Sequence, residues 1–188
     1  REGHGGVVAG VPVRLLHGGT AGEDDQVGGG ELRAPRAVEL LLDALEGGEA
    51  AAYGLCRPPG HHAATTVYGG YCFFNNAAIV AQHAAARGAK VALLDVDYHH
   101  GNGSQQIFYD RDDVLFVSLH ADPSRAYPYT TGFSDETGTV RGLGATRNLP
   151  LGPGAGDDEL ESALLPALEA ISAFGAEVLV VSLGLDMH

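Results

Sequence analysis

Aspartate and histidine gather at a few points of the 188-residue chain rather than being spread along it. The densest point is Asp95-Val96-Asp97-Tyr98-His99-His100-Gly101-Asn102-Gly103, at the end of the apolar run Val91 to Val96. If the backbone stays extended there, successive side chains alternate, so Asp95, Asp97 and His99 project to one side. A carboxylate and an imidazole two residues apart can grip one metal ion. Catalytic zinc sites take three protein ligands and keep a position open, so a third acid is required. Asp186 is the candidate, because it follows the apolar run Val178 to Leu183 and would stand at the same end of a neighbouring parallel strand. As isolated residues, Asp97, His99 and Asp186 read as caps of a loop and a helix. Two acids, two histidines and two glycines within one strand exit favour the metal.

A second cluster is Arg57-Pro58-Pro59-Gly60-His61-His62-Ala63. The prolines stiffen the loop, so the paired imidazoles would be presented at little ordering cost. An imidazole titrates near neutrality and can take a proton from water and return it to a leaving amine. His61 and His62 also fit metal ligands or a solvated pair, and a His-His dipeptide alone does not decide. The third segment, Gly69-Gly70-Tyr71-Cys72-Phe73-Phe74-Asn75-Asn76, combines glycines that permit close backbone approach with aromatics that could wall an apolar tube. Aromatics at a helix entry are mostly core, so Tyr71 alone is assigned a functional role beside Gly70. Cys72 has no evident base beside it and reads as a small packed hydrophobe. His4, His17 and His83 read as solvated.

The elements that must carry these residues alternate between helix and strand. Residues 1 to 36 are Gly-rich and read as loop, with an acidic group at Glu23, Asp24 and Asp25. Val38, Leu41, Leu42 and Leu45 recur at helical spacing before Gly47 and Gly48, and Phe73, Ala77, Val80, Ala81 and Ala84 do so before Gly88. Val91 to Val96, Val114 to Leu119 and Val178 to Leu183 are short apolar runs suited to buried strands. Leu160 to Ile171 is helical in period, although Pro166 should kink or split it. His120 to Pro153, rich in Gly, Pro and Thr, reads as one long functional loop. The expectation is a mostly parallel, layered α/β domain, with its ligand site outside the carboxyl ends of the strands.

Composition narrows the function classes. Eleven basic against 24 acidic residues give a net charge of −13. That charge repels a phosphate backbone and attracts cationic small molecules, so nucleic acid is not expected as a partner. No apolar run approaches the ~20 residues of a membrane-spanning helix, and no membrane partner is expected. Cys56 and Cys72 offer no disulfide framework and fit a reducing, cytoplasmic setting better than a secreted one. The chain opens on Arg1 rather than Met and closes two residues after Asp186, so a fragment cut at both ends is expected.

In this order, RPPGHHA (57–63), GYCFFNN (70–76), DVDYHHGNG (95–103), VSLH (117–120) and SLGLD (182–186) resemble the zinc-dependent deacetylase superfamily of histone deacetylases and acetylpolyamine amidohydrolases. The segments around Phe133 to Thr146 and Phe174 to Glu177 resemble the acetylpolyamine branch more closely. The resemblance implies an arginase/deacetylase-like α/β fold over residues 1–188, as one incomplete catalytic domain. It implies that Asp97, His99 and Asp186 bind zinc, and that His61 and His62 handle protons, His62 being the base and acid. Asp95 would back His61, and Asn102 would partner His62. Asp95, Ser118 and Leu119, with the carbonyls of Asp97 and His99, would surround a structural potassium ion, and a looser second potassium site would lie near Phe108, Arg111 and Val114. The substrate implied is an acetylated small-molecule amine or acetyllysine, cleaved to acetate and free amine. Among the related enzymes a homodimer can narrow the entrance.

Members of the family carry a tyrosine beyond the third zinc ligand that hydrogen-bonds the oxyanion. A fragment ending at His188 would lack that donor, a loss of ~100-fold to 1000-fold in rate. A truncated domain that binds acetylated ligands without turnover is therefore one alternative, and a histone-deacetylase-like protein deacetylase is another. Two-metal ureohydrolases, which resemble the family in fold, need Asp-x-His-x-Asp at a strand end. Gly101 stands where that last carboxylate would be, so one metal is expected.

Overall fold

The structure, a computed structural model, describes residues 33–186. The expectations for His4, His17 and the acidic group Glu23, Asp24 and Asp25 lie outside the described residues. The chain divides into two compact units, Arg1–Arg57 and Pro58–His188.

In the first unit, helix α1 spans Arg33–Glu46. It starts inside the stretch read as loop, because Pro35 falls in the first turn, where a missing N–H costs nothing. The segment after it returns close against the helix, and a Cβ at Gly54 would lie 2.7 Å from Leu41 Cδ1.

In the second unit the order is α2 (Asn76–Ala85), β1 (Val91–Asp95), α3 (Asn102–Phe108), β2 (Val114–Ala121), a 3₁₀ turn at Val140–Gly142, β3 (Thr146–Leu151), α4 (Asp157–Phe174) and β4 (Val178–Ser182). The strands form one parallel sheet in the order β3-β2-β1-β4. The chain winds outward from β1 to β2 and β3, then returns to place β4 on the other side of β1. The carboxyl ends of β1 and β4 therefore flank a switch in winding direction, where open α/β sheets leave a crevice.

Both faces of β1 and β2 are covered, which explains why those strands read as near-continuous apolar runs, whereas Leu179 and Val181 of β4 are about half exposed. Val91, Leu93, Val114 and Phe116 pack with Ala78, Ala81 and Ala85 of α2 and Phe108 of α3. Leu94, Leu115, Val117 and Leu119 face Leu160, Leu164, Ala167 and Ile171 of α4 on the opposite side. That packing carries α4 unbroken past Pro166, against the ~3 kcal/mol an interior proline costs. Asp157, Asp158 and Glu159 fill the first turn of α4, with Glu159 Oε2 accepting from the Gly156 N–H at 2.9 Å, and Gly175 at φ +74° ends it.

Three expectations are corrected here. The long loop from His120 to Pro153 contains β3, which escaped a search for apolar runs because Thr146 and Asn148 are buried polar residues. Pro150 is tolerated because β3 is at the sheet edge. Helix α3 went unread because Asn-Gly-Ser-Gln-Gln-Ile-Phe has no apolar stripe. Phe73 and Phe74 are about half exposed rather than core, since they precede the first turn of α2, and Phe73 stacks on Tyr68 with ring centroids 5.8 Å apart.

Candidate active site

The site is assembled from the exits of β1 and β4 and from the loop before α2. Asp95, the last residue of β1, is fully buried. Its Oδ1 accepts from the Asp97 N–H at 3.2 Å, and Asp97 Oδ1 accepts from the His99 N–H at 2.7 Å. These two side-chain-to-backbone bonds curl the strand exit and replace the extended geometry read from the sequence. Asp95 turns inward as a result, while Asp97 and His99 converge on the crevice. β1 and β4 pair in parallel register, Asp95 opposite Ser182, which brings Asp186 alongside. Asp186 Oδ1 accepts from the Tyr98 N–H at 3.1 Å.

His99 Nδ1 lies 3.2 Å from Asp97 Oδ1 and 3.1 Å from Asp186 Oδ2. One ligand atom from each of these three residues falls within 4.8 Å of the others, a group that could hold a metal ion. Two carboxylate oxygens and one imidazole nitrogen suit a borderline cation such as zinc. Burial pushes the Asp97 carboxyl above its ordinary range, against the pull of His61. Gly184 leaves the room required: a Cβ there would stand 2.1 Å from Asp97 Oδ2.

His61 and His62 sit in a turn closed by the Ala63 N–H to the Gly60 carbonyl. Helix α3 holds this turn, since the N–H groups of Gly103 and Ser104 both donate to the His61 carbonyl, at 3.0 and 3.1 Å. Asn75 ties it from the other side, donating to the Ala63 carbonyl while capping α2. His61 Nδ1 lies 2.9 Å from Asp95 Oδ2, and His62 Nδ1 2.8 Å from Asn102 Oδ1. The two rings are 4.0 Å apart, and the His62 ring is 6.0 Å from that of His99.

Their environments drive the two imidazoles apart. Burial lowers both, but at His61 the charge and hydrogen bond of Asp95, with Asp97 and Asp186 nearby, outweigh it and raise the pKa above the usual range. At His62 burial, reinforced by His61 and His99, wins and pulls the pKa down to about 4. A Cβ at Gly101 would lie 2.3 Å from Asp95 Oδ2, so a larger residue there would collide with the Asp95 side of the His61 pair.

Above these groups lies a cavity of about 590 Å³, within the usual range of ligand sites. Asp97, His99 and Asp186 line it with His61 and His62, and Pro59, Gly70, Tyr71 and Tyr127 complete its lining. Gly70, at φ +54°, must be glycine, because a Cβ would stand 2.0 Å from His62 Cδ2. Tyr71 follows at φ +63° and is 88% exposed. Cys72 is buried, its thiol pushed up to about 11, as a packed hydrophobe should be.

Every residue singled out for the metal and the proton transfers is thus brought to one crevice. Tyr127 was missed: its ring stands perpendicular to His62 at 4.8 Å, and its only sequence signal was a Tyr-Pro-Tyr triplet in a loop. Ser118 and Leu119 are fully buried in β2, with Ser118 opposite Asp95 in register.

Residues 27–188 match the family model described as histone deacetylase domain. The chain is 54% identical over 145 residues to the acetylpolyamine amidohydrolase of Mycoplana ramosa, covering 77% of this chain and 42% of that protein. It is 36% identical over 190 residues to histone deacetylase 8 of Arabidopsis thaliana, covering 92% and 50%. The crystal structure of acetylpolyamine aminohydrolase from Burkholderia pseudomallei superposes with a TM-score of 0.80 at 46% identity, covering 82% of this chain and 45% of that one. The chain spans half the length of these relatives or less. The parallel sheet, the Asp-His-Asp group below its cavity and the matched span together establish that this chain belongs to the histone deacetylase domain family.

Proposed function

We propose that residues 1–188 belong to one catalytic domain of a zinc-dependent amidohydrolase that removes acetyl groups from acetylated amines. The observation that carries this reading is the convergence of Asp97, His99 and Asp186 beneath an imidazole, His62, whose Nδ1 is held by Asn102. In this reading Asp97, His99 and Asp186 hold the zinc ion. When bound, the cation supplies Lewis acidity, polarising the acetamide carbonyl and lowering the pKa of the attacking water.

The chain's own residues move the protons. His62 donates its Nδ1 hydrogen to Asn102, which leaves the Nε2 lone pair free to take a proton from water. The same Nε2 then returns the proton to the departing amine as the carbon–nitrogen bond breaks, giving acetate and free amine. His61, its pKa raised by Asp95, stays charged to higher pH than an ordinary histidine and offsets negative charge developing beside it. Tyr71 and Gly70 border the substrate chain.

A potassium ion at Asp95, Ser118 and Leu119 fits the same reading. His120 Nε2 donates to the Gly132 carbonyl at 2.9 Å, so its Nδ1 accepts the Ser118 hydroxyl hydrogen at 2.8 Å. The Ser118 lone pairs are then left for a cation, whose charge would offset the buried carboxylate of Asp95. The second potassium site near Phe108, Arg111 and Val114 belongs to the reading on resemblance alone.

The proposed substrate is an acetylpolyamine ahead of acetyllysine, supported by 50–55% identity to four relatives bearing the acetylpolyamine amidohydrolase name and by the net charge of −13. A cytoplasmic, homodimeric enzyme completes the proposal. The test is turnover of an N-acetylated polyamine and of an acetyllysine peptide by the full-length protein, with and without a chelator. Chelator-sensitive acetate release, reversed by zinc, is expected. Binding of either compound without acetate release by the zinc-loaded protein would overturn it in favour of a binding module.

A further inference from the structure

A polar cluster, buried except for the half-buried Glu136, lies beside the cavity and, apart from the contact of His120 with Ser118, takes no part in the chemistry above. It joins His100, next to His99, with Gln105 of α3, His120 at the end of β2, Asn148 of β3 and Glu136 in the loop between β2 and β3. Glu136 Oε2 accepts from Gln105 Nε2 at 2.7 Å and from the Gly132 N–H at 2.8 Å. Gln105 Oε1 in turn accepts from His100 Nε2 at 3.1 Å and from Asn148 Nδ2 at 2.7 Å.

These bonds converge on one short piece of backbone. The Gly132 carbonyl accepts from His120 Nε2, and its N–H is held by Glu136, so both polar groups of this residue are fixed by side chains. Thr131 Oγ1 meets His100 Nδ1 at 3.2 Å. A Cβ at Gly132, whose φ is +105°, would stand 2.7 Å from His100 Cγ and 2.8 Å from His120 Nε2. The other end of the segment is held by the Asp122 turn, whose carbonyl accepts from the N–H groups of Arg125 and Ala126. Tyr127 hangs between these two anchors, its ring on His62, its hydroxyl 3.0 Å from where a Cβ of Gly69 would be.

We propose that Glu136 is a positioning residue for Tyr127: by holding Gly132 to α3 and β3 it sets the part of the cavity wall that Tyr127 forms. This rests on the reading of that cavity as the place where the acetylated amine reacts. Without the carboxylate, a buried N–H loses its partner, the segment 126–132 loosens, and Tyr127 can swing from His62 and widen the passage.

The test uses the zinc-loaded full-length protein. Glu136→Ala is expected to speed amide hydrogen exchange in 126–132 by at least about tenfold. It is also expected to raise KM about fivefold, with kcat within about twofold and zinc content unchanged. Glu136→Gln, which can place an amide oxygen where Oε2 stands, should recover most of both effects. In a Tyr127→Ala background the KM effect of Glu136→Ala should vanish, as coupling between the two requires. If Glu136→Ala fails to fold, Thr131→Val tests the same anchor and should speed exchange in the same segment. Unchanged exchange in 126–132, or a KM effect that persists without the Tyr127 ring, would overturn the proposal. Absence of any turnover by the wild-type protein would instead strike the functional reading, and the exchange measurement would still decide the role of Glu136.

Discussion

His62 Nδ1 lies 2.8 Å from Asn102 Oδ1, and because a carbonyl oxygen only accepts, this contact places the imidazole hydrogen on Nδ1 and leaves Nε2 bare. Asn102 opens α3, whose second and third residues, Gly103 and Ser104, hold the His61 carbonyl, so one short helix sets the position of the pair and the tautomer of His62. Asn102→Ala in the full-length enzyme is expected to lower kcat between about tenfold and a hundredfold, with KM nearly unchanged. An equal loss in KM and none in kcat would contradict the tautomer argument.

The acid side of the pH profile follows from His62. Its pKa, drawn down to about 4 by burial and by the neighbouring imidazoles, keeps Nε2 unprotonated well below neutrality. The acid limb of kcat/KM is therefore expected below pH 5, not near the ordinary value of about 6.5. Asn102→Asp sets a carboxylate against the Nδ1 hydrogen, favours the charged ring and should move that limb upward by roughly one unit. A pH–rate series on both proteins checks this, and a limb that stays put in the variant would refute the assignment.

Gly184 marks how tightly β4 closes on the metal group. A methyl at that position would meet Asp97 Oδ2 at 2.1 Å, nearer than any real contact. Gly184→Ala is expected to displace the carboxylate and weaken zinc affinity by about tenfold to a hundredfold. Competition against a chromophoric chelator reads the affinity directly, and unchanged affinity would mean that Asp97 is not a ligand.

Acid should unfold the protein partly through His100. Fully buried, and facing His120, it is lowered to about 3 in the folded state, against about 6.5 when unfolded. Between those values the unfolded chain binds the extra proton, so stability falls as pH falls, by about 1.4 kcal/mol for each unit below 6.5. His120, also lowered by burial, acts in the same sense, while the raised His61 opposes it. His100→Gln should lose stability at neutral pH but show a shallower slope between pH 6 and 5 in urea unfolding. A slope equal to that of the wild type would remove His100 from the account.

Much of this molecule could be read from residue order. Val91–Asp95 and Val114–Ala121 were legible as strands because both of their faces are covered, which makes their sequences largely apolar, and Val178–Ser182 was legible as an apolar run although Leu179 and Val181 are half exposed. The convergence of Asp97, His99 and Asp186 was legible because side chains that follow two parallel strands need only those strands to be neighbours to meet. Helix α3, strand β3 and Tyr127 were not, since each is specified by polar or aromatic partners far along the chain. Gln105 looks like a loop residue until Glu136 is placed beside it.

Residue type and spacing therefore determined the inventory: which acids and imidazoles exist, at which strand exits, and in what kind of sheet. Tertiary structure decided their states. Asp95 turned inward to His61 because its own carboxylate captured the Asp97 N–H, and His61 and His62, adjacent in the chain, acquired opposite pKa shifts. Such shifts depend on burial and on charges brought within a few ångströms by folding, and neither quantity is local in sequence.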